Sequence, residues 1–148
     1  MKRTLLLVLA AGLLVAGDDN KDDATKKDME KLQGEWMMDS HEFNGEKQKE
    51  QIVKDYKRTV KDDHFTVVFG DKTIVEGTFL LDASKKPKTL DITLNSGDQK
   101  GEKMLGIYEL VGDTYKVCIG APGIDRPTEF VSKPDSSHAL TIWKRVKK

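Results

Sequence analysis

The chain has 148 residues, 37% of them hydrophobic, with 25 basic and 25 acidic side chains and a single cysteine, Cys118. That length suits one domain with one core, and the charge balance leaves no basic excess to hold nucleic acid or anionic lipid. One cysteine excludes a disulfide within these residues, so stability must come from packing and strand pairing.

The first segment carries an address. Lys2 and Arg3 precede an apolar run from Leu5 to Val15, and Val15-Ala16-Gly17 places small residues ahead of a cut before Asp18. This layout predicts a secretory signal peptide over 1–17. The run is shorter than the ~20 apolar residues of a membrane span; an uncleaved anchor is the alternative. No cysteine follows the cut, so a lipid anchor is not expected. The expectation is export to the periplasm or beyond, with no stable membrane insertion after cleavage. Losing Lys2 and Arg3 leaves 23 basic against 25 acidic residues, a net of −2.

Residues 18–31 mix charges with almost nothing apolar. Such a stretch buries too little to offset its ordering entropy. It reads as a flexible charged tether, with at most a helical turn near Met29 and Leu32. The folded domain is expected over 32–148.

From Gly34 onward the apolar period is two. Phe65, Val67 and Phe69 share one face, as do Val75, Gly77, Phe79 and Leu81, and then Leu90, Ile92 and Leu94. This is the pattern of strands with one dry side. Gly70-Asp71 and Gly112-Asp113 each separate two such runs as two-residue hairpin turns. Strands are predicted at 35–43, 63–69, 73–82, 88–95, 102–111, 114–120, 127–132 and 138–146. Glu46 to Lys57 breaks the pattern with helix formers and a stripe of Ile52, Val53 and Tyr56. It reads either as a short helix between the first two strands, covering a barrel mouth, or as a solvated loop. The fold class is all-β: a small antiparallel barrel of about eight strands, its first and last strands meeting.

No motif commits the chain to a reaction. His41, His64 and His138 have no metal-ligand spacing, so no metal site and no cofactor is expected. No nucleophile elbow, phosphate loop or Cys-His arrangement occurs, and catalytic residues are not assigned. Cys118 sits in an apolar strand, as an inert buried thiol would.

Gly34-x-Trp36 opening the first strand, with Arg145 near the end of the last, resembles the lipocalin signature. The resemblance implies that Trp36 closes the barrel floor and that Arg145 lies across its ring. A guanidinium stacks well on indole and can bond nearby orphan carbonyls. Gly34, Trp36 and Arg145 are thus structural. The strands are shorter than in typical lipocalins, which implies a small or filled cavity.

A closer likeness runs through Leu32-Gln33-Gly34-Glu35-Trp36, Val75-Glu76-Gly77-Thr78-Phe79 and Asp82 to Asp91. It continues through Leu105-Gly106-Ile107-Tyr108-Glu109-Leu110, Arg126-Pro127-Thr128-Glu129-Phe130 and the Trp143-Lys144-Arg145 end. In order, these resemble the uncharacterised lipocalin-like domain family abundant in planctomycete bacteria. That resemblance implies a barrel and no established activity.

A barrel is a container. The residues expected to line it are Phe65, Val75, Phe79 and Tyr108; Tyr108 and Tyr115, which flank the Gly112-Asp113 hairpin, either line the cavity or pack across strands. Arg126 and Glu129 either present a charge to an anionic ligand at the mouth or brace their own turn. The leading expectation is a binding module for a small apolar or amphipathic molecule. The alternative is a solid barrel that contacts another protein or the cell envelope, with an enzyme well behind.

Overall fold

Over most of the chain from Gly34 onward the apolar residues alternate, so the backbone is satisfied by strands that hide every second side chain. The computed structural model describes residues 23–147. The expected signal peptide at 1–17, and residues 18–22 of the expected tether, lie outside the described residues.

Among the described residues nine strands form one antiparallel sheet. They are β1 (Gly34–Phe43), β2 (Glu46–Lys47), β3 (Tyr56–Lys61), β4 (His64–Phe69), β5 (Lys72–Asp82), β6 (Lys88–Leu94), β7 (Lys103–Val111), β8 (Thr114–Gly120) and β9 (His138–Arg145). All except the two-residue β2 pair neighbour to neighbour in chain order, and β1 joins β9, so eight strands close into an up-and-down barrel. A helix, α1, occupies residues 23–32 ahead of the barrel, and α2 (Glu50–Val53) lies between β2 and β3. No helix among the described residues is long and apolar enough to cross a membrane.

The first and last strands meet in register, Trp36 opposite Arg145 and Met38 opposite Trp143. A bulge at Asp39 then shifts the phase, so that His41 and Phe43 face the same way as Trp36 and Met38. β1 pairs with β3 only through Gly34–Met37. Beyond Met37 the two strands part, and Val53 of α2 packs into the core there, 2% exposed.

Val60, Phe65, Phe79, Leu90, Ile92 and Val117 fill the interior from five strands. Gly77 is small because it must be: a Cβ there would stand 2.7 Å from the Thr93 carbonyl and 2.8 Å from the Phe65 ring.

Three expectations change. Residues 23–32 are helical where a tether was expected over 18–31, because Leu32 and Asp28 find buried partners on the barrel that local composition does not reveal. The strand expected at 127–132 does not form: 121–137 is irregular and lies against the outer face of β8. There it covers Ile107 and Cys118, 1% and 0% exposed, whose Sγ approaches the Val131 carbonyl at 3.5 Å. The missing barrel strand is instead Tyr56–Lys61, whose start falls within the helix or loop expected over 46–57. The helix shrinks to four residues, and Asp62, at φ 55°, makes the tight turn from β3 into β4.

Candidate functional site

The two ends of the barrel differ. At one end α1 acts as a floor. Leu32 is fully buried and its carbonyl accepts a 2.9 Å bond from Trp36 Nε1. The Arg145 guanidinium lies 4.3 Å from the Trp36 ring centroid. It donates to the carbonyls of Gln33, at 2.9 Å, and of Lys31, and its Nε is 3.3 Å from an Asp113 carboxylate oxygen. Gly34, at φ +109°, occupies a backbone region that side chains avoid, and a Cβ there would reach 3.6 Å from Arg145. Asp28 of α1, 4% exposed, accepts 2.8 Å bonds from Tyr108 Oη and Lys88 Nζ. Burial and the bond to Asp28 push the Tyr108 phenol well above its usual range.

The other end is open. A cavity of about 420 Å³ enters there, between the upper halves of β1, β3, β4, β7, β8 and β9. Met38, Tyr56, Val67, Met104, Ile119 and Trp143 form its apolar walls, while Phe43 and Ile74 stand at its rim, 43% and 48% exposed. Gln48, His41 and Thr141 supply the polar atoms, and His41 Nδ1 lies 2.9 Å from Thr141 Oγ1. Desolvation pulls the His41 pKa below its ordinary value, with Glu42 opposing.

Beneath the cavity sits a buried cation. Arg58 of β3 is 3% exposed and faces inward, between Trp36 on β1 and Val67 on β4 in the ladder. Its guanidinium carbon lies 4.2 Å from the Phe65 ring centroid, 5.5 Å from Tyr115 and 6.0 Å from Trp143. Nε and Nη2 have no acceptor, and Tyr115 Oη has no partner either. Burial pushes the Arg58 pKa down and the Tyr115 pKa up, since each charged form loses water there. Arginine nonetheless stays protonated in proteins.

The expected lining residues lie elsewhere. Phe65, Phe79, Tyr108 and Tyr115 are buried in the solid lower and middle barrel, and Val75 packs partly buried against the same core. None of these lines the mouth cavity. Arg126 is on the outside of the barrel, where Nη1 donates to the Leu90 and Gly106 carbonyls at 3.0 and 2.9 Å and Nη2 meets Asp91 at 2.7 Å. Glu129 is exposed and 3.9 Å from Lys133, so Arg126 and Glu129 do not pair with each other. The wall made by Met38, Tyr56, Met104 and Ile119 was not among the expected lining. A signal existed for Met38 and Val67, which share strand faces with Trp36 and with Phe65.

Among the described residues no group of histidine, cysteine or carboxylate side chains is placed to hold a metal ion. The Cys118 thiol is raised by burial and lies outside the cavity. No family model matches the chain, and no curated protein sequence matches it.

Proposed function

We propose that this chain is an exported, lipocalin-like carrier that holds a small apolar or amphipathic molecule in the mouth of its barrel. The observation that carries this reading is the apolar cavity of about 420 Å³ at the end opposite the Trp36 floor. Its size falls within the ~300–1,000 Å³ of small-molecule sites, which combine apolar walls with a few polar groups. Two further features support it. The rim exposes Phe43 and Ile74, which gives an apolar molecule a favourable path inward. The floor is fixed by α1 and by the Trp36–Arg145 stack, so the mouth is framed by a rigid scaffold. Export rests on the 1–17 pattern alone. A solid-barrel interaction domain fits the filled lower half of the interior and leaves the cavity without a role.

The test is saturation binding of the neutral fluorophore N-phenyl-naphthylamine to the purified protein. The expected result is one saturable site whose signal is lost in Ile119→Trp, which fills the cavity from β8. Absence of saturable binding by the folded wild type would overturn the carrier reading. Native mass spectrometry of protein purified gently from its own host then identifies what it carries.

A further inference from the structure

A cation sealed inside an aromatic cage is costly to keep. Moving an ionised group out of water carries a large penalty unless a partner and hydrogen bonds compensate it. Among the described residues Arg58 forms no salt bridge, and two of its nitrogens and the nearby Tyr115 hydroxyl lack hydrogen-bond partners. The three aromatic faces around it offset part of the penalty and leave the N–H edge unused. That edge has the geometry that binds a carboxylate or phosphate through two parallel bonds.

Its position relative to the cavity gives this edge a use. Trp143 is both a wall of the cavity and one face of the Arg58 cage. Val67, the ladder partner of Arg58 on β4, lines the cavity, as does Tyr56, two residues earlier on the same face of β3. The cavity thus ends one layer of side chains above the guanidinium. Met38, opposite Trp143, is a flexible thioether able to shift in that layer.

We infer that the carried molecule is an amphipathic anion, its single carboxylate or phosphate head inserted against Arg58 and the Tyr115 hydroxyl and its apolar tail in the mouth cavity. This deepens the carrier reading and depends on it. The head is held by charge-assisted bonds from the unused guanidinium nitrogens and by donation from Tyr115 Oη. The tail lies against Met38, Val67, Met104 and Ile119 and leaves past the rim. A neutral molecule of the same length fills the cavity equally well and leaves the cation without a partner.

Isothermal titration of the full folded chain with decanoate, decyl phosphate and decanol tests this. The three probes differ in head group and by at most one methylene of tail. Expected is binding of one or both anions about ten- to a hundredfold tighter than decanol, the usual scale for hydrogen bonds to a charged group. Whichever anion binds more tightly identifies the head. Arg58→Met should erase that advantage and leave decanol binding within about twofold, and Tyr115→Phe, which keeps the ring, should weaken only the anions. A thermal melt of each variant confirms folding, and Tyr115→Phe carries the test if Arg58→Met does not fold. Equal affinity of wild type for decanol and the anions overturns the head-group assignment and leaves the carrier reading standing. No binding of any probe, N-phenyl-naphthylamine included, overturns both.

Discussion

The Arg145 guanidinium sits 4.3 Å over the Trp36 ring and also bonds two carbonyls at the end of α1. One residue from the last strand therefore closes the barrel seam, covers the floor tryptophan and caps the helix beneath it. The three tasks share one cause. A planar cation with several donors can stack and bond carbonyls at once.

Trp36→Ala removes a fully buried indole and the 2.9 Å bond to the Leu32 carbonyl. The expected cost is ~3–5 kcal/mol, the range for truncating core aromatics. Arg145→Met keeps the stem over the ring and loses the carbonyl bonds, with an expected cost of ~1–3 kcal/mol because those bonds come from a charged donor. Urea unfolding monitored through tryptophan fluorescence measures both, with Trp143 as the remaining reporter in Trp36→Ala. An unchanged midpoint in Trp36→Ala would show that Trp36 is not what closes this end of the barrel.

The attachment of α1 makes a second prediction. Asp28 is the buried acceptor for Tyr108 and Lys88, so Asp28→Ala orphans a buried phenol and loosens a half-exposed lysine. The loss should be ~1–3 kcal/mol, the cost of leaving buried polar groups without partners. Amide hydrogen exchange should show protection falling first over 23–32. Unchanged exchange there would mean that Leu32 and the Arg145 bonds hold the helix unaided.

Most of the barrel was legible in the sequence, and particular residues explain the failures. The Gly70-Asp71 and Gly112-Asp113 turns and the alternation of β4 to β8 are local signals, and they reappear in the ladders. β3 was hidden because Arg58 stands at the centre of its inward face, between Tyr56 and Val60, where alternation demands an apolar residue. The residue that disguised the strand is the one that gives the interior its unusual chemistry. Phe130 and Val131 have the look of a strand, yet Pro127 and Pro134 bracket a segment whose apolar groups are spent on the outside of the barrel. The helix at 23–32 depends on Asp28 and Leu32, whose partners lie 60 to 80 residues and four residues away respectively. No window of sequence contains the first pair.

The mouth titrates. Burial lowers the His41 pKa below its ordinary 6.5, so the unfolded chain binds this proton more readily than the folded one. Stability from His41 is therefore complete above about pH 6.5, falls as pH drops through that value, and levels off below the folded pKa. Carboxylates titrate too, and His41→Gln isolates the imidazole. Between about pH 7.5 and about pH 5 the wild type should lose more stability than His41→Gln, measured as the shift in urea midpoint. Equal losses would show that His41 is solvated in both states.

Arg58 makes the least intuitive prediction. Core truncations normally destabilise, but here the side chain is a buried cation without an anion. Arg58→Met keeps an unbranched chain of similar reach against Phe65, Tyr115 and Trp143 and removes the charge. Loss of cation–π attraction opposes the gain by ~2 kcal/mol or more when desolvated. Relief of an unsatisfied buried polar group contributes ~1–3 kcal/mol, and more for an ion. The ligand-free variant should therefore unfold at an equal or higher urea midpoint than the wild type. A bound anion should reverse that order, because it stabilises only the chain that can pair with it. A clear loss of stability in the ligand-free variant would mean that Arg58 is held for packing, and that the aromatic cage alone suffices for it.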